Sequence, residues 1–587
     1  MKVHNFARVA FATALLGLAG ICGWTGAAGV RLIADAGASA VPAHPDDQTI
    51  VHVLNRLGFG AAPGDIARVR RVGLNTYIEQ QLRPEGLPDA AMAARLSGFE
   101  TLSKSSRELA EDYFVPAQME RRRAQQRAGS QDTDVAAGKR EMRSPEQVEL
   151  MQAERRVLTE LAQQKILRAA YSERQLHEVM VDFWFNHFNV SAGKGQTRAY
   201  LTEYERDTIR PNVLGHFRTL LGATAQSPAM LFYLDNWQSA APEGATTNAG
   251  IKDRARRGAG LFPGSGRRGR IQPPPARRTM ADLPPAAQNR RPRGLNENYA
   301  RELMELHTLG VDGGYTQKDV QEVARAFTGW TVANPRQGGG FQFEARMHDD
   351  GEKRVLGHRI KAGGGRRDAE QVLDILASHP STARFVVTKL ARRFVSDHPP
   401  ASLVDRAAAR FRETNGDIRE VVHTIVTSPE FFAPVAYRAK VRTPFEYVAA
   451  ALRATSADTV NAMPLVIALR ELGMPPYQCQ PPTGYADRAE AWVNTGALLN
   501  RMNFAVALTD GRLRGVRAAF ADAPGSASAP RTAVATSGGN LDAARDAIVD
   551  QVFAGDLSSS TRTTVAKAGT PAQAVALLLG SPEFQRR

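Results

Sequence analysis

Three segments of the chain share one pattern, in which an amphipathic helical run stops at a Ser-Pro pair and an apolar residue follows. The three segments are Phe217–Met230, Ile418–Phe431 and Ala572–Phe584. Proline has no backbone N–H, and it biases the residue before it away from the helical conformation, so each pair ends a helix. The pattern predicts a fold built from short helices that pack through their apolar faces, and we assign these segments a structural role.

Signals for β-strands are scarce in the rest of the chain. The two candidates are 341–344 and 354–357, and we expect them to pair as a short hairpin around Asp349-Asp350-Gly351. Elsewhere apolar residues recur at helical spacing. The sequence therefore predicts a mostly α fold, with at most a short β-hairpin. We expect one large multi-helix domain over residues 50–587, or two subdomains that divide near 330–360.

Residues 241–293 form a basic insert rich in Pro, Gly and Arg. The insert holds twelve Lys or Arg and three Asp or Glu residues, which accounts for more than half of the chain's net charge of +15. Such a composition cannot bury enough apolar surface to fold, so we predict a disordered surface loop. Its charge suits an anionic polymer of the cell envelope. Aromatic side chains for stacking on bases are missing apart from Phe262, so we expect no specific nucleic-acid binding.

The first residues have the composition of a secretory signal peptide. Basic residues precede an apolar run, Val9–Cys22, that is too short to span a bilayer. We predict a signal peptide at 1–29, a linker at 30–49 and a periplasmic or secreted protein with no transmembrane span in the mature chain. A retained N-terminal anchor is the alternative. Cleavage would leave Cys479 as the one cysteine, which excludes an internal disulfide.

The run from Asn296 to Gly310 carries the densest set of reactive side chains. Placed on a helix, it puts Asn298, Glu302 and Glu305 beside an apolar stripe, and His307 on the other flank. Because the carboxylates and the histidine diverge, this helix alone cannot form a metal site. We expect Glu302 and Glu305 to be catalytic carboxylates and Asn298 to bind substrate, as one edge of a site completed by other segments.

A structural interpretation of the same helix also fits. Glu297 and Glu305 both stand four residues from Arg301. Opposite charges at this spacing stabilise a helix by about 0.2–0.5 kcal/mol per pair. Such pairs, with Glu302 bound to a neighbouring arginine, explain most of the charges without any chemistry.

The second candidate segment is Val181–Val190. On a helix, His187 shares the apolar face of Phe183, and Asn186 falls on a polar face. A buried imidazole needs a hydrogen-bond partner, and burial or a nearby carboxylate shifts its pKa in ways that suit acid–base catalysis. We therefore consider His187 a candidate general base and Asn186 a candidate substrate ligand. A core histidine with satisfied hydrogen bonds is the alternative.

A third group of candidates follows downstream. Thr316 and Asp319 have the spacing of a capping box that begins the helix before Trp330. We expect Trp330, His348 and Asp349 to bind substrate near the mouth of the same cleft. A simple turn at residues 348–351 is the alternative.

Several familiar catalytic motifs are missing from the sequence. It has no Gly-x-Ser-x-Gly elbow, no phosphate-binding Walker loop, no Gly-x-Gly-x-x-Gly after a strand and no Cys-x-x-Cys pair. The sequence thus leaves open the reaction, the substrate, any metal and any cofactor.

Taken together, these segments resemble a bacterial family catalogued as domain of unknown function 1800. The resemblance covers about residues 50–587 apart from the basic insert. One departure is Phe185, where many relatives have a histidine, which weakens any model that needs two histidines there. The matching pieces are His52–Gly60 with Pro63, Phe183–Phe188, Ser227–Asp235, Asn296–Gly310, Asp319–Trp330, His348–Gly357, His379–Phe394, Ser428–Phe431 and Gly473–Asn503.

The resemblance implies a large exported helical protein, often encoded beside a second exported protein of sulfatase-like character. It supplies no reaction. Our leading hypothesis is a buried polar cleft between the helices of His187 and Glu302, where His187 acts as base and a glutamate as acid or metal ligand in hydrolysis or group transfer. The competing hypothesis is a non-catalytic binding or assembly protein of the cell envelope, whose polar helices are structural.

Overall fold

Short helices joined by tight turns build nearly all of the chain that can be described. The computed structural model describes residues 39–130, 144–242, 245, 247, 294–519 and 541–587. The predicted signal peptide, residues 30–38 of the linker and almost all of the basic insert lie outside these residues. From Ala40 onward the chain forms one compact unit. The choice between one domain and two subdomains stays a prediction.

The mostly α fold is confirmed. The α-helices are Asp47–Leu57, Asp65–Val72, Leu74–Leu82, Ala90–Leu96, Ser106–Leu109, Val115–Ser130, Pro145–Tyr171, Gln175–His187, Thr197–Glu203, Phe217–Gln226, Pro228–Tyr233, Glu297–Glu305, Gln317–Ala326, Arg366–Ser378, Pro380–Phe394, Ala401–Glu413, Ile418–Val426, Pro429–Phe432, Pro444–Ala454, Met463–Glu471, Thr495–Thr509, Leu541–Phe553, Ser559–Val565, Pro571–Gly580 and Pro582–Gln585.

Shorter helical turns connect several of these helices. Two of them are π-helical, Ala110–Phe114 and Tyr204–Ile209. The 3₁₀ turns are Pro84–Gly86, Glu100–Leu102, Arg210–Asn212, Asn236–Gln238, Pro335–Gln337, Pro434–Ala436 and Ala489–Ala491.

The described strands form three small antiparallel pairs rather than one hairpin. They are Trp330–Val332 with Phe341–Phe343, Lys353–Val355 with His358–Ile360, and Asp458–Thr459 with Val516–Arg517. Both predicted strand segments exist, but the predicted pairing between them is wrong. Leu356 and Gly357 both have positive φ, as a two-residue hairpin turn requires, so the strand at 353 pairs with the residues after that turn.

The Ser-Pro pattern sets both the end of one helix and the start of the next. Ser227, Ser428 and Ser581 have extended backbones, and each side-chain oxygen accepts a hydrogen bond from a backbone N–H of the following short helix. The proline occupies the first helical position, where its missing N–H costs nothing. The anchors after the stops, among them Phe431 and Phe584, are buried in the core. The predicted structural role is confirmed.

Three elements bring the candidate site together. They are helix Gln175–His187, helix Pro380–Phe394 and the turn after helix Glu297–Glu305. The first helix buries Trp184, which packs on Phe188 and Phe217. These apolar contacts fix the position of the last turn of that helix, where His187 lies. Within the described residues, no helix is long and apolar enough to cross a membrane.

We expect Ser428→Ala to lower the free energy of unfolding by about 1 kcal/mol, because the N–H of Phe431 loses its side-chain acceptor and keeps only the carbonyl oxygen of residue 428. Urea denaturation followed by circular dichroism measures the change. Ser559→Ala is the control, since Ser559 is an exposed serine at the start of helix Ser559–Val565 and the cap there is Ser558. Equal stability of the two variants would contradict a capping role for Ser428.

Candidate functional site

The centre of the candidate site is a hydrogen bond between His187 and Lys389. His187 is 2% exposed. Its Nε2 lies 3.1 Å from the carbonyl oxygen of His307, and its Nδ1 lies 2.8 Å from Nζ of Lys389. A carbonyl oxygen only accepts, so Nε2 carries the hydrogen and Nδ1 accepts from Lys389. The buried imidazole thus has a partner on both nitrogens, as a buried polar group requires.

Lys389 opens onto a cavity of about 250 Å³, which we call the Lys389 cleft. Three cationic side chains line it: Lys389, Arg392 and Arg488. Its single carboxylate is that of Asp487. The remaining lining residues are Phe183, Asn186, His187 and residues 483–486. The cleft therefore combines a concave shape with an excess of positive charge, which raises the local concentration of anions.

Burial and like charges make Lys389 and Arg392 easier to deprotonate. Burial, followed by the charge of Arg392, lowers the pKa of Lys389 to about 8, and Asp487 opposes this change. Burial and then Arg488 lower the pKa of Arg392 in the same way. Burial also holds the pKa of His187 well below its ordinary value, with Lys389 adding to the effect. At neutral pH His187 is therefore neutral, as the hydrogen bond to Lys389 requires.

One wall of the cleft is a loop that asparagine side chains hold in place. The amide of Asn186 donates to the carbonyl of Tyr485 and accepts from its N–H, both at 2.6 Å. Asn189 donates to the carbonyls of Cys479 and Pro481. At Gly484, where φ is 72°, an added Cβ would lie 2.2 Å from the backbone oxygen of Asn186. The loop can approach the His187 helix this closely only with glycine there.

Asp487 is bound by a buried lysine that does not line the cleft. Nζ of Lys440 lies 2.9 Å from Asp487 and also contacts Asp397, and Lys440 is fully buried. Burial alone would raise the pKa of Asp487, but Lys440, with Arg393 and Arg587, lowers it overall. The carboxylate is thus ionised, and its ion-pair partner is Lys440 rather than Lys389.

His307 lies beside His187 rather than on an outer face. The helix ends at Glu305, and the N–H of His307 returns to the carbonyl of Glu302 at 3.1 Å. His307 is 3% exposed, its ring centroid is 6.3 Å from that of His187, and its Nε2 has no partner among the described residues. Placing His307 on the opposite flank of a continuous helix was wrong, because the chain leaves the helical path two residues earlier.

Glu302, Glu305 and Asn298 are not among the residues that line the Lys389 cleft. Burial, and then the charge of Glu305, raises the pKa of Glu302. Glu305 accepts a hydrogen bond from Tyr315 at 3.2 Å, and Asn298 is exposed. Among the described residues neither carboxylate hydrogen-bonds to His187. The catalytic roles of these glutamates, and the substrate role of Asn298, stay predictions.

The ion pairs of the structural interpretation do not form as expected. Arg301 donates to the side chain of Gln317 at 2.7 Å, and Gln317 donates to Glu297 at 2.6 Å. A glutamine from helix Gln317–Ala326 thus bridges charges that we expected to meet directly. The capping box of Thr316 and Asp319 at the start of that helix is confirmed.

Trp330, His348 and Asp349 lie in a buried region of their own. Trp330 is 0% exposed and packs against Phe327 and Phe341. His348 is also 0% exposed and bonds to the Thr328 carbonyl.

The polar groups of this region are joined in one network. Nζ of Lys353 lies 2.6 Å from Asp368, which His348 approaches at 3.3 Å. Asp349 pairs with Arg325 at 2.8 Å. These residues do not line the Lys389 cleft, and the predicted substrate contacts of Trp330, His348 and Asp349 stay predictions. In the described chain, no three His, Cys, Asp or Glu side chains are grouped as metal ligands.

The model of one protein family, described as "Protein of unknown function (DUF1800)", matches residues 52–586. The chain belongs to this family. The residues of the Lys389 cleft all lie inside the match. No curated protein and no solved structure shows a significant match to the chain. Family membership therefore establishes what the chain is related to but gives no activity. The activity has to be inferred from the residues of the site.

Sequence reasoning selected His187 and Asn186 but missed the cations of the cleft. Lys389, Arg392 and Arg488 lie in two segments that carry the family resemblance, His379–Phe394 and Gly473–Asn503. The apolar face of the first segment marks a helix, and Lys389 is a charge beside that face. A charge beside an apolar face is common on any helix. Only the folded structure shows that the partner of Lys389 is a histidine.

We expect stability to fall with acid partly through His307, whose pKa burial and Lys389 lower to about 3. An unfolded histidine titrates near 6.5, so the unfolded chain takes up this proton first, and stability present above pH 6.5 is lost as pH falls. His307→Phe should reduce the slope of unfolding free energy between pH 5.5 and 4.5 by about 1.4 kcal/mol per pH unit.

Denaturant titrations at each pH measure this slope. His398→Phe is the matched control, because His398 is exposed. A slope that changes equally in both variants would contradict a buried neutral His307.

Proposed function

We propose that this chain is an exported enzyme, a hydrolase or a transferase, that holds an anionic group of its substrate in the Lys389 cleft. Lys389 faces the bound substrate as the group that exchanges a proton. His187 accepts a hydrogen bond from Lys389 and positions it. Glu302 and Glu305 are the carboxylates that we propose for a further part of the substrate.

The excess of cations in the cleft carries this proposal. The charge of Arg488 lowers the pKa of Arg392, and the charge of Arg392 lowers the pKa of Lys389, in each case after burial. The one carboxylate of the lining, Asp487, is engaged by Lys440. An anion placed among the three cations would relieve their repulsion and form charge-assisted hydrogen bonds.

The proton exchange follows from the lowered basicity of Lys389. General acid–base groups work best when their pKa lies near the working pH, and an ordinary lysine is far too basic. With its pKa at about 8, Lys389 exists in both protonation states around neutral pH. His187 is less suited to the same task, because both of its nitrogens are already bonded and its pKa is low.

Export, cleavage of the leader and a periplasmic or secreted location belong to the same proposal. The signal-like composition of residues 1–29 supports them. The basic insert supports contact with an anionic envelope polymer, and the family resemblance supports a co-encoded, sulfatase-like exported partner. Sequencing the N-terminus of the protein from the periplasmic fraction tests export.

A non-catalytic envelope protein is the second candidate function. One observation favours it: the amides of Asn186 and Asn189 and the Nε2 of His187 all bond to backbone atoms, which is a structural use of polar groups. In that case the chain would form a stable complex with its co-encoded partner. Size-exclusion chromatography of the two purified proteins tests for the complex.

We expect phosphate or sulfate to bind the cleft, and Arg488→Ala to weaken binding about tenfold or more. A lost charge-assisted hydrogen bond costs about 1.5–3 kcal/mol, and 1.4 kcal/mol is a factor of ten. Isothermal titration calorimetry at low ionic strength measures the change.

Binding should also weaken as pH rises through about 8, as Lys389 loses its proton beside His187, His307, Arg392, Asp487 and Arg488.

The matched control is Arg367→Ala, which removes an exposed arginine that is not part of the cleft lining. It should leave anion affinity within about twofold of the unmodified protein. Equal losses in both variants would contradict a specific anion site, since they would reflect overall charge alone.

A further inference from the structure

Lys389 differs from the other sheltered lysines of the molecule in what it pairs with. Six described lysines are not exposed. Five of them lie 2.5 to 2.9 Å from a carboxylate oxygen, and these are Lys104, Lys165, Lys194, Lys353 and Lys440. Lys389 instead donates to the neutral ring of His187. Among these six described lysines, Lys389 alone has no carboxylate within ion-pair distance.

This difference matters for the reactivity of the amine. A carboxylate stabilises the ammonium form and so blocks the lone pair with a proton. A neutral imidazole gives much less stabilisation, and the positive charge of Arg392 acts against the ammonium form. With a pKa of about 8, about a quarter of the Lys389 side chains are neutral at pH 7.5, against about one in a thousand for an ordinary lysine.

The direction of the hydrogen bond favours a reactive amine as well. One N–H of Lys389 is held by Nδ1 of His187. A neutral amine held in this way keeps its lone pair for a group in the cleft. Lysines that are sheltered from water beside another cation are the ones that enzymes use as nucleophiles toward carbonyl groups.

We propose that the amine of Lys389 is a nucleophile that forms an imine with the carbonyl carbon of an anionic aldehyde or ketone bound in the Lys389 cleft. The inference rests on the proposed function and narrows it to group transfer through a covalent intermediate rather than hydrolysis. Arg392 and Arg488 hold the carboxylate or phosphate of the ligand, and this leaves Lys389 for its carbonyl group.

The chemistry of the step balances without a further reactant. The nitrogen lone pair attacks the carbonyl carbon, the C=O π electrons move to oxygen, and the nitrogen passes one proton to that oxygen. The resulting carbinolamine loses its hydroxyl group and the second amine proton as water while the C=N bond forms. The imine is then open to attack, to proton loss at the neighbouring carbon or to hydrolysis back to the amine.

Trapping with pyridoxal 5′-phosphate, an aldehyde that carries a phosphate, tests the inference on the full chain. Sodium borohydride delivers hydride to the imine carbon and makes the adduct permanent, and peptide mass spectrometry locates it. We expect about one adduct per chain at Lys389, at least tenfold faster than at the exposed lysines Lys318, Lys361 and Lys567. The rate should rise with pH around a midpoint near 8.

Matched variants and probes separate the reactive amine from the anion site. Lys389→Arg should abolish the adduct at this position, and Lys361→Arg should leave it unchanged. Pyridoxal, which lacks the phosphate, should react at least tenfold more slowly, and so should Arg488→Ala with the phosphorylated probe. Glyoxylate, an aldehyde that carries a carboxylate, should give the same adduct site.

Equal labelling of Lys389 and the exposed lysines in the unmodified protein would overturn the inference, and that measurement needs no variant to fold. If phosphate binds in a way that depends on Arg488 but no adduct forms at Lys389, the inference of a nucleophilic lysine is overturned. The proposal of an anion-binding cleft would then still hold. Absence of both phosphate binding and the adduct would overturn the proposed function together with this inference.

Discussion

The contact between Lys389 and His187 determines the chemistry of the cleft, because it fixes the protons on both groups. The carbonyl of His307 accepts from Nε2 of His187, so Nδ1 of the same ring must accept from Lys389. Each of the three elements that meet here supplies one member of this chain of hydrogen bonds. A shift of any one of these three elements would break a hydrogen bond and leave a buried polar group without a partner, which costs about 1–3 kcal/mol.

The shape of the cleft also depends on side chains that hydrogen-bond to backbone groups of a loop, in place of the backbone–backbone bonds of a helix or sheet. One wall of the cleft, the loop from Cys479 to Ala489, is not part of a described β-sheet, and side chains bond to several of its peptide groups. Asn189, Asn186 and Asp397 supply these hydrogen bonds instead. Buried peptide groups require such partners. Asn186, in the last turn of the helix of His187, and Asn189, just after that helix, therefore hold this wall of the cleft in place.

Local patterns in the sequence predicted local structure well and distant partners poorly. The Ser-Pro stops, the Thr316 capping box and the burial of His187 were all predictable, because each depends on residues a few positions apart. The hairpin pairing failed, since the turn at Leu356 and Gly357 overrode it. The partnership of His187 with Lys389, 202 positions away, left no local signal, and a helical projection misplaced His307 once the helix had ended at Glu305.

The positive charge of the cleft depends on the ion pairs that its neighbouring carboxylates, Asp487 and Glu446, form with buried cations. Lys440 is fully buried, and its Nζ lies 2.9 Å from a carboxylate oxygen of Asp487. Arg393 and Arg587 share Glu446, so that carboxylate is not available to the cleft either. Asp487 acts to raise the pKa of Lys389, and without the opposing charge of Lys440 nearby it would stabilise the protonated lysine as any carboxylate does. Pairing these acids with arginines and a second lysine thus leaves the cleft lining with an excess of positive charge around the weakly basic Lys389.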